Sequence, residues 1–361
     1  MSSPAPSRSA TSASRAATSA SRAATSASRA ATLGDVASEA GVSLATASRV
    51  LNGSRPVAHE YRRRVEEAAE RLGYIANLSA QTTARGTSPV VALLVADIAD
   101  PYFGQLAAGV TRAAESAGLI TTIAITDRDA ERELSLVRTL RGQRPRGIIL
   151  ATSRDTSVDP SALARELEAA TAHGARIVTL GAGVAGSQVV PIDNLAGAEA
   201  LGTAVAELGY RDAVIIAARE GVRTSDDRIA GFSAGFEAGG GAAPRVVRAG
   251  ITRDAGYEAA ATLLEAGLEP GTLLFGVSDV VAIGALSAVR DAGLVPGDDI
   301  AIAGFDDIAA GRDIVPGITT VSVPLEALGA QALEAAISDD WGGAAALPLE
   351  VRLRASTPRR A

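Results

Sequence analysis

The segment 34-GDVASEAGVSLATASRVLNG-53 packs small residues, two acids and a single arginine into one short stretch. Asp35 to Ala40 reads as a short helix with Val36, Ala37 and Ala40 on one side, and Gly41 ends it. Ser43 is then placed to cap a second helix, Leu44 to Leu51, which Asn52-Gly53 terminates. The spacing predicts a third helix from about His59 to Leu72, with Val65, Ala68, Ala69 and Leu72 inward and Arg62 to Arg64 outward. Helix, tight glycine turn, helix is the helix-turn-helix layout. The competing reading is a pair of core helices. Against it, Leu44, Ala45, Ser48 and Arg49 project from the second helix, where short side chains let a backbone lie deep in a DNA groove. Arg49 has the fork geometry to donate two parallel bonds to guanine O6 and N7.

Around this segment the composition sets limits. A chain of 361 residues is long for one core, so two or three units are expected. Apolar residues make up 47% and aromatic residues only 3%, so Ala, Val, Leu and Ile must fill the interior, which suits helices laid on a buried parallel sheet. Cysteine is absent, which excludes a disulfide framework and a thiolate metal site. The two histidines, His59 and His173, read as surface or helix-end residues, and neither a metal nor a cofactor is expected. No apolar run reaches the roughly 20 residues of a membrane span and no signal-peptide core is visible, so a soluble, cytoplasmic chain without a membrane partner is expected. The net charge of −7 hides an asymmetry, because through residue 89 eleven arginines face six acids while the remainder is strongly acidic. A basic front on an acidic body is the layout of a chain with one module that meets a polyanion. All the cations are arginine, a bias that points to genome composition rather than to function.

The first 32 residues repeat SASRAAT three times, from Ser12 to Thr32. No repeat position is a large apolar residue, so a coiled-coil seam could bury nothing, and a disordered tail is expected, with Arg8, Arg15, Arg22 and Arg29 available for nonspecific phosphate contacts. Beyond Pro89 strand-like and helix-like segments alternate, from VVALLVAD to TTVSVP. The alternation predicts an α/β body of two doubly wound parallel-sheet subdomains, with ligands at the carboxyl ends of the strands. The stretch 181-GAGVAG-186 is a literal G-x-G-x-x-G after a strand, but SQVVPIDN follows it, an extended and proline-interrupted run where a dinucleotide fold needs a helix.

With these elements in view, DVASEAGVSLATASRVLNG and VAHEYRRRVEEAAERLGYIAN closely resemble the DNA-binding head of the lactose-repressor (LacI/GalR) family. The resemblance continues through DIADPYF, PIDNLAGAEALGTAVAELGY, DDRIAGF, VSDVVAIGAL, DIAIAGFDDI and PGITTVSVP, and covers roughly residues 33 to 356. It implies a small all-α head at 33–76, a hinge at 77–88, and an α/β body of periplasmic-binding-protein type. In that body the first subdomain takes 89–192 and 323–347, and the second takes 193–322 and 348–361. It also implies a transcription regulator, usually a repressor, acting as a homodimer on a near-palindromic operator in double-stranded DNA.

By position, Leu44, Ala45 and Arg49 would face bases, while Thr46, Ser48 and Asn52 would serve phosphates or the turn. The family's hinge leucine, which wedges into the minor groove, is matched here by Thr83, so the central bend is expected to be weaker or supplied by Leu78. Carry-over puts Tyr102 and Phe103 on one wall of an effector cleft and Arg228, Asp279 and Asp306 on the other. Tyr102 and Phe103 also read as core closure, and Asp279 as the cap of a helix beginning at Val280. Where the family often places an aromatic platform this chain has Ile251, which favours a sugar or polyol over a flat purine as effector. A two-lobed solute-binding protein and a nicotinamide-dependent oxidoreductase are the alternative readings.

Overall fold

The computed structural model describes residues 31–52, 57–74 and 88–360, so the expectations for the N-terminal repeat, for Leu78 and for Thr83 lie outside the described residues, as does the side chain of Asn52. The chain divides into two units, Met1–Gln81 and Thr82–Ala361.

In the first unit, α1 spans Leu33–Ala40, α2 Leu44–Asn52 and α3 His59–Arg71. Helix α1 begins two residues before the predicted Asp35, because Thr32 and Asp35 form a reciprocal capping box: the Asp35 amide donates to Thr32 Oγ1 at 3.3 Å and the Thr32 amide to Asp35 Oδ2 at 2.8 Å. Gly41 ends the helix in the left-handed conformation at φ 61°, which a glycine adopts without Cβ strain. Val36, Ala37, Ala40, Ala47, Val65, Ala68 and Ala69 form the core. Leu72, predicted to face inward, is instead the C-cap of α3 and 38% exposed.

The second unit opens with a five-stranded parallel sheet in the order β2-β1-β3-β4-β5. Its strands are β1 (Val90–Val95), β2 (Ile120–Ile125), β3 (Gly147–Ala151), β4 (Arg176–Leu180) and β5 (Gln188–Val190). Its helices are α4 (Pro101–Ser116), α5 (Ala130–Arg141), α6 (Ser161–Ala172) and, late in the chain, α12 (Leu325–Ile337). Strand β1 shows why both faces are covered: Val91, Leu93 and Val95 pack with Leu106 of α4 and Leu328 of α12, whereas Ala92 and Leu94 pack with Val137 of α5 and Leu167 of α6. We call this the N-lobe. Gly181 to Gly186 runs on into β5, not into a helix, so the G-x-G-x-x-G stretch lacks the helical N-terminus that a pyrophosphate requires.

The C-lobe is a four-stranded parallel sheet, β7-β6-β8-β9. Its strands are β6 (Ala213–Ala217), β7 (Arg245–Arg248), β8 (Leu273–Gly276) and β9 (Ala301–Ala303), and its helices α7 (Asn194–Glu207), α8 (Arg223–Ala238), α9 (Arg253–Glu265), α10 (Asp279–Asp291) and the short α11 (Ala309–Asp313). An antiparallel pair, β10 (Thr320–Ser322) and β11 (Glu350–Arg352), completes the strands. Helices approach closely here around a buried Phe232–Phe236–Phe275 stack: a Cβ at Gly231 of α8 would overlap the Leu195 carbonyl of α7, and one at Gly284 of α10 would overlap the Arg253 carbonyl of α9.

Candidate nucleic-acid interface and effector cleft

Helix α2 is held through Ala47 and leaves Leu44, Ala45 and Arg49 outward. The Ser43 hydroxyl accepts from the Thr46 amide at 3.1 Å, the N-cap bond that fixes where the helix starts. Ala47 is fully buried, so the residues two positions either side of it, Ala45 and Arg49, point out. Leu44 is 56% exposed, Ala45 and Arg49 are exposed, and Thr46 and Ser48 are half-buried. The Thr46 hydroxyl is shared with Ser43 at 2.8 Å, which gives it a structural duty besides any contact to phosphate. Behind α2, Arg64 donates to the Gly41 carbonyl at 3.4 Å and Arg71 pairs with Glu39 at 3.1 Å, tying α3 to α1.

The second candidate site lies where strand ends of the two lobes meet. On the N-lobe side Asp100 caps α4, its Oδ1 accepting from the Tyr102 amide at 3.0 Å. Tyr102 is half-buried and stands edge-on to Phe103 with ring centroids 4.9 Å apart. Phe103 is 7% exposed and belongs to the N-lobe core, so of its two readings the structure places it as core closure. Burial, with the Asp306 carboxylate nearby, raises the Tyr102 phenol above its usual range and keeps its hydroxyl a donor.

On the C-lobe side Arg228 is 4% exposed, with a partner beside each of its three nitrogens. Its Nε donates to Asn194 Oδ1 at 2.9 Å and its NH1 to the Val277 carbonyl at 2.7 Å; NH2 lies 2.9 Å from Asp306 Oδ1, and the guanidinium sits 3.8 Å over the Phe305 ring. Asp306 adopts φ 115°, a backbone conformation that costs a non-glycine residue energy and that clusters at working sites. The Arg228–Asp306 approach is close enough for an ion pair but not aligned as a hydrogen bond, so Oδ1 keeps unused acceptor capacity. Burial pushes the Asp306 carboxyl up to about 7, with Arg228 pulling the other way and Asp100 adding to the rise.

Asp279 requires a correction. It is fully buried; its Oδ1 accepts from the Thr320 hydroxyl at 2.6 Å and its Oδ2 from the Ile308 amide at 2.9 Å. Because α10 begins at Asp279 itself with Ser278 at its N-cap, Asp279 is not the cap of a helix beginning at Val280; it ties the Thr320 side chain and the Ile308 backbone to the start of α10. Burial, reinforced by the Asp306 charge, holds its carboxyl well above the usual range. Ile251 is half-buried against two core clusters, one of the C-lobe and one shared by both lobes, and presents its carbonyl to Arg128 NH2 at 3.5 Å.

Arg128, Asn194 and Ser278 are missing from the set predicted by sequence. Arg128 stands at the carboxyl end of β2 with φ 59°, 3.7 Å from Asp100 and 5.9 Å from the Phe103 ring. A charged residue just past a strand end was the available signal. Ser278 Oγ is buried with no hydrogen-bond partner among the described residues, next in chain to the carbonyl that holds Arg228. Among the described residues no three His, Cys, Asp or Glu side chains gather as a metal site, and no helix is long and apolar enough to cross a membrane.

Comparison with known proteins adds the following. Residues 32–77 match the model of bacterial regulatory proteins of the lacI family, and residues 203–357 that of a periplasmic binding protein-like domain. The ribose operon repressor of Halalkalibacterium halodurans is 32% identical over 299 residues, 82% of this chain and 86% of that protein. Among solved structures, the lac repressor dimer bound to operator and the anti-inducer ONPF superposes with a TM-score of 0.76 at 24% identity, over 91% of this chain and all of that one. A complex of the transcriptional regulator CelR with cellobiose gives 0.64 at 26% identity, over 90% of this chain and 99% of that one.

Proposed function

Since the chain belongs to the LacI family of bacterial regulatory proteins, we propose that it is a repressor whose grip on a near-palindromic operator is set by a small polyhydroxylated effector. The observation that carries this reading is the exposure of Leu44, Ala45 and Arg49 on a helix whose Ala47 is fully buried. A helix so held can enter a major groove without unfolding anything. There Arg49 reads guanine, Leu44 and Ala45 meet thymine methyls, and Thr46, Ser48 and Asn52 serve the phosphates that fix register. A homodimer presents two such helices to the two half-sites. The activity assigned is binding, not catalysis, and it places the chain in the cytoplasm with the DNA.

The effector reading rests on the polar floor of the cleft. Arg228, Asp306, Asn194 and Ser278 offer donors and acceptors in an otherwise apolar setting, with Tyr102 and Arg128 opposite, which suits hydroxyl groups spaced around a sugar ring. CelR, the structural relative bound to cellobiose, supports this class. The effector changes operator affinity only by the difference between its affinities for the two lobe arrangements.

A labelled duplex from the chain's own promoter tests the regulator reading. The expected result is binding that resists unrelated competitor DNA and falls steeply with added salt, as counterion release requires. Equal affinity for every duplex of that length would reject it.

A further inference from the structure

Two loops at strand carboxyl ends, one per lobe, bond directly to each other. The N-lobe loop follows β3, and the C-lobe loop connects β6 to α8. Asp155 and Val222 form an isolated antiparallel bridge, within which the Thr156 amide donates to the Gly221 carbonyl and the Arg223 amide to the Arg154 carbonyl, each at 2.9 Å. Around it the Ser153 hydroxyl donates to Thr224 Oγ1 at 2.9 Å and receives the Thr224 amide at 3.4 Å. Arg219 pairs with Asp155 and donates to Ser157 Oγ at 3.4 Å.

Helix α8 depends on this joint. Its N-cap residue, Val222, supplies no side-chain bond, and the first two helical amides, those of Arg223 and Thr224, are capped by the opposite lobe. The N-lobe loop is itself braced: Thr152 Oγ1 and Arg154 NH2 both donate to Glu133 Oε1, at 2.6 and 2.7 Å, and Glu133 is 7% exposed. Arg228 lies five residues further along α8, about 7.5 Å by helical rise.

We propose that residues 153–157 and 219–224 form a clasp that joins the lobes beside the effector cleft, so that opening the cleft means breaking it and uncapping α8. The joint is made of direct bonds between the two loops. The clasp thereby sets the balance between open and closed lobes on which the effector acts, and in that respect it rests on the regulator reading given above.

The chain contains no cysteine, which makes the test direct. Ser153→Cys and Thr224→Cys are introduced together into the full chain, and mild oxidation follows with no small molecule added other than oxidised glutathione. The expected outcome is rapid, nearly complete loss of two thiols with an intramolecular crosslink seen by intact mass. Adding Asp155→Ala and Arg219→Ala should slow crosslinking about two- to fivefold, the contribution of one partly exposed ion pair. Thiols that remain free, although each single-cysteine variant reacts readily with a thiol reagent, would overturn the clasp. So would crosslinking whose rate ignores the Asp155 and Arg219 changes. These readouts do not involve DNA: a chain that crosslinks as expected but binds no promoter duplex keeps the clasp and loses the regulator reading.

Discussion

Replacing Arg228 by Met tests the cleft floor most directly. Met keeps the length and much of the stem volume while removing the charge and every donor. The change strands the buried Asp306 carboxylate, leaves the Val277 carbonyl and Asn194 Oδ1 without their donors, and removes the cation over Phe305. Breaking a buried pair from one side costs about 3–5 kcal/mol. Asp306 can limit that loss by taking up a proton, since its carboxyl already sits at about 7 and losing Arg228 pushes it higher. The sign follows from linkage. A carboxyl raised in the folded state favours folding below its unfolded value, and that advantage is lost as pH rises through the folded value, by up to about 1.4 kcal/mol per pH unit. Arg228→Met should therefore be least harmful near pH 6 and worst at pH 8 and above. The sole tryptophan, Trp341, packs against the core of the second unit and reports its melting by fluorescence. For a unit of this size the full penalty lowers Tm by about 6–15 °C. Adding Asp306→Asn removes the stranded charge, so the double variant should recover part of the loss at pH 8 and lose the extra pH dependence. A single variant that melts with the native chain at pH 8, or a double variant less stable than the single there, would refute the reasoning.

The remaining expectations concern individual side chains. Arg49→Ala should weaken binding to the chain's own operator by about 1–3 kcal/mol in a fluorescence anisotropy titration while changing nonspecific binding far less. Asp279→Leu leaves the Thr320 hydroxyl and the Ile308 amide unpaired inside the C-lobe, and should cost about 2–5 kcal/mol in denaturant titrations that follow Trp341. Two helical glycines should respond with opposite signs: Gly231→Ala drives a methyl against the Leu195 carbonyl and destabilises by about 1–3 kcal/mol, whereas Gly104→Ala, exposed with nothing within 4 Å, stabilises by about 0.5–1 kcal/mol in the same titrations.

What could be read from the sequence follows the range of the interactions involved. Helix α2 was legible because its signals are local: the Gly41 turn and the Ser43 cap lie two positions apart, directly before the helix. The start of α1 was misplaced because Thr32 ends a low-complexity repeat, where its capping partner three residues on is easily overlooked. Arg228 and Asp306 were singled out through ordered motifs, and the structure brings the two side chains to 2.9 Å of each other. Asp279 was misread as a helix cap because the groups that bond its oxygens lie 29 and 41 residues away, a separation that periodicity and capping rules do not reach. The bridge between Asp155 and Val222 was invisible for a related reason: its bonds are made by backbone atoms, which every residue type carries.

The distribution of tight and loose contacts indicates which part of the second unit can move. Within each lobe, helices meet at glycines where an added methyl would overlap backbone: Gly109 of α4 against Glu326 of α12, Gly231 of α8 against Leu195 of α7, and Gly284 of α10 against Arg253 of α9. Contacts that close cannot slide without clashing, so each lobe behaves as one body. The two lobes share one apolar core cluster, and beside it the clasp and the Arg128 contact to the Ile251 carbonyl are polar bonds, each with a net value of about 0.5–1.5 kcal/mol. A handful of such bonds makes a gap of a few kcal/mol between open and closed arrangements. Shifting a two-state balance from 1:99 to 99:1 takes roughly 5.5 kcal/mol of differential binding. That is within reach of a sugar-sized ligand that engages the Arg228 and Asp306 side in one arrangement and both sides in the other. The rigidity of the lobes and the modest strength of the bonds between them thus belong to one mechanism. Strengthening the crossing bonds, by a crosslink or by better-paired side chains, should make the chain less responsive to its effector without touching a residue that binds it.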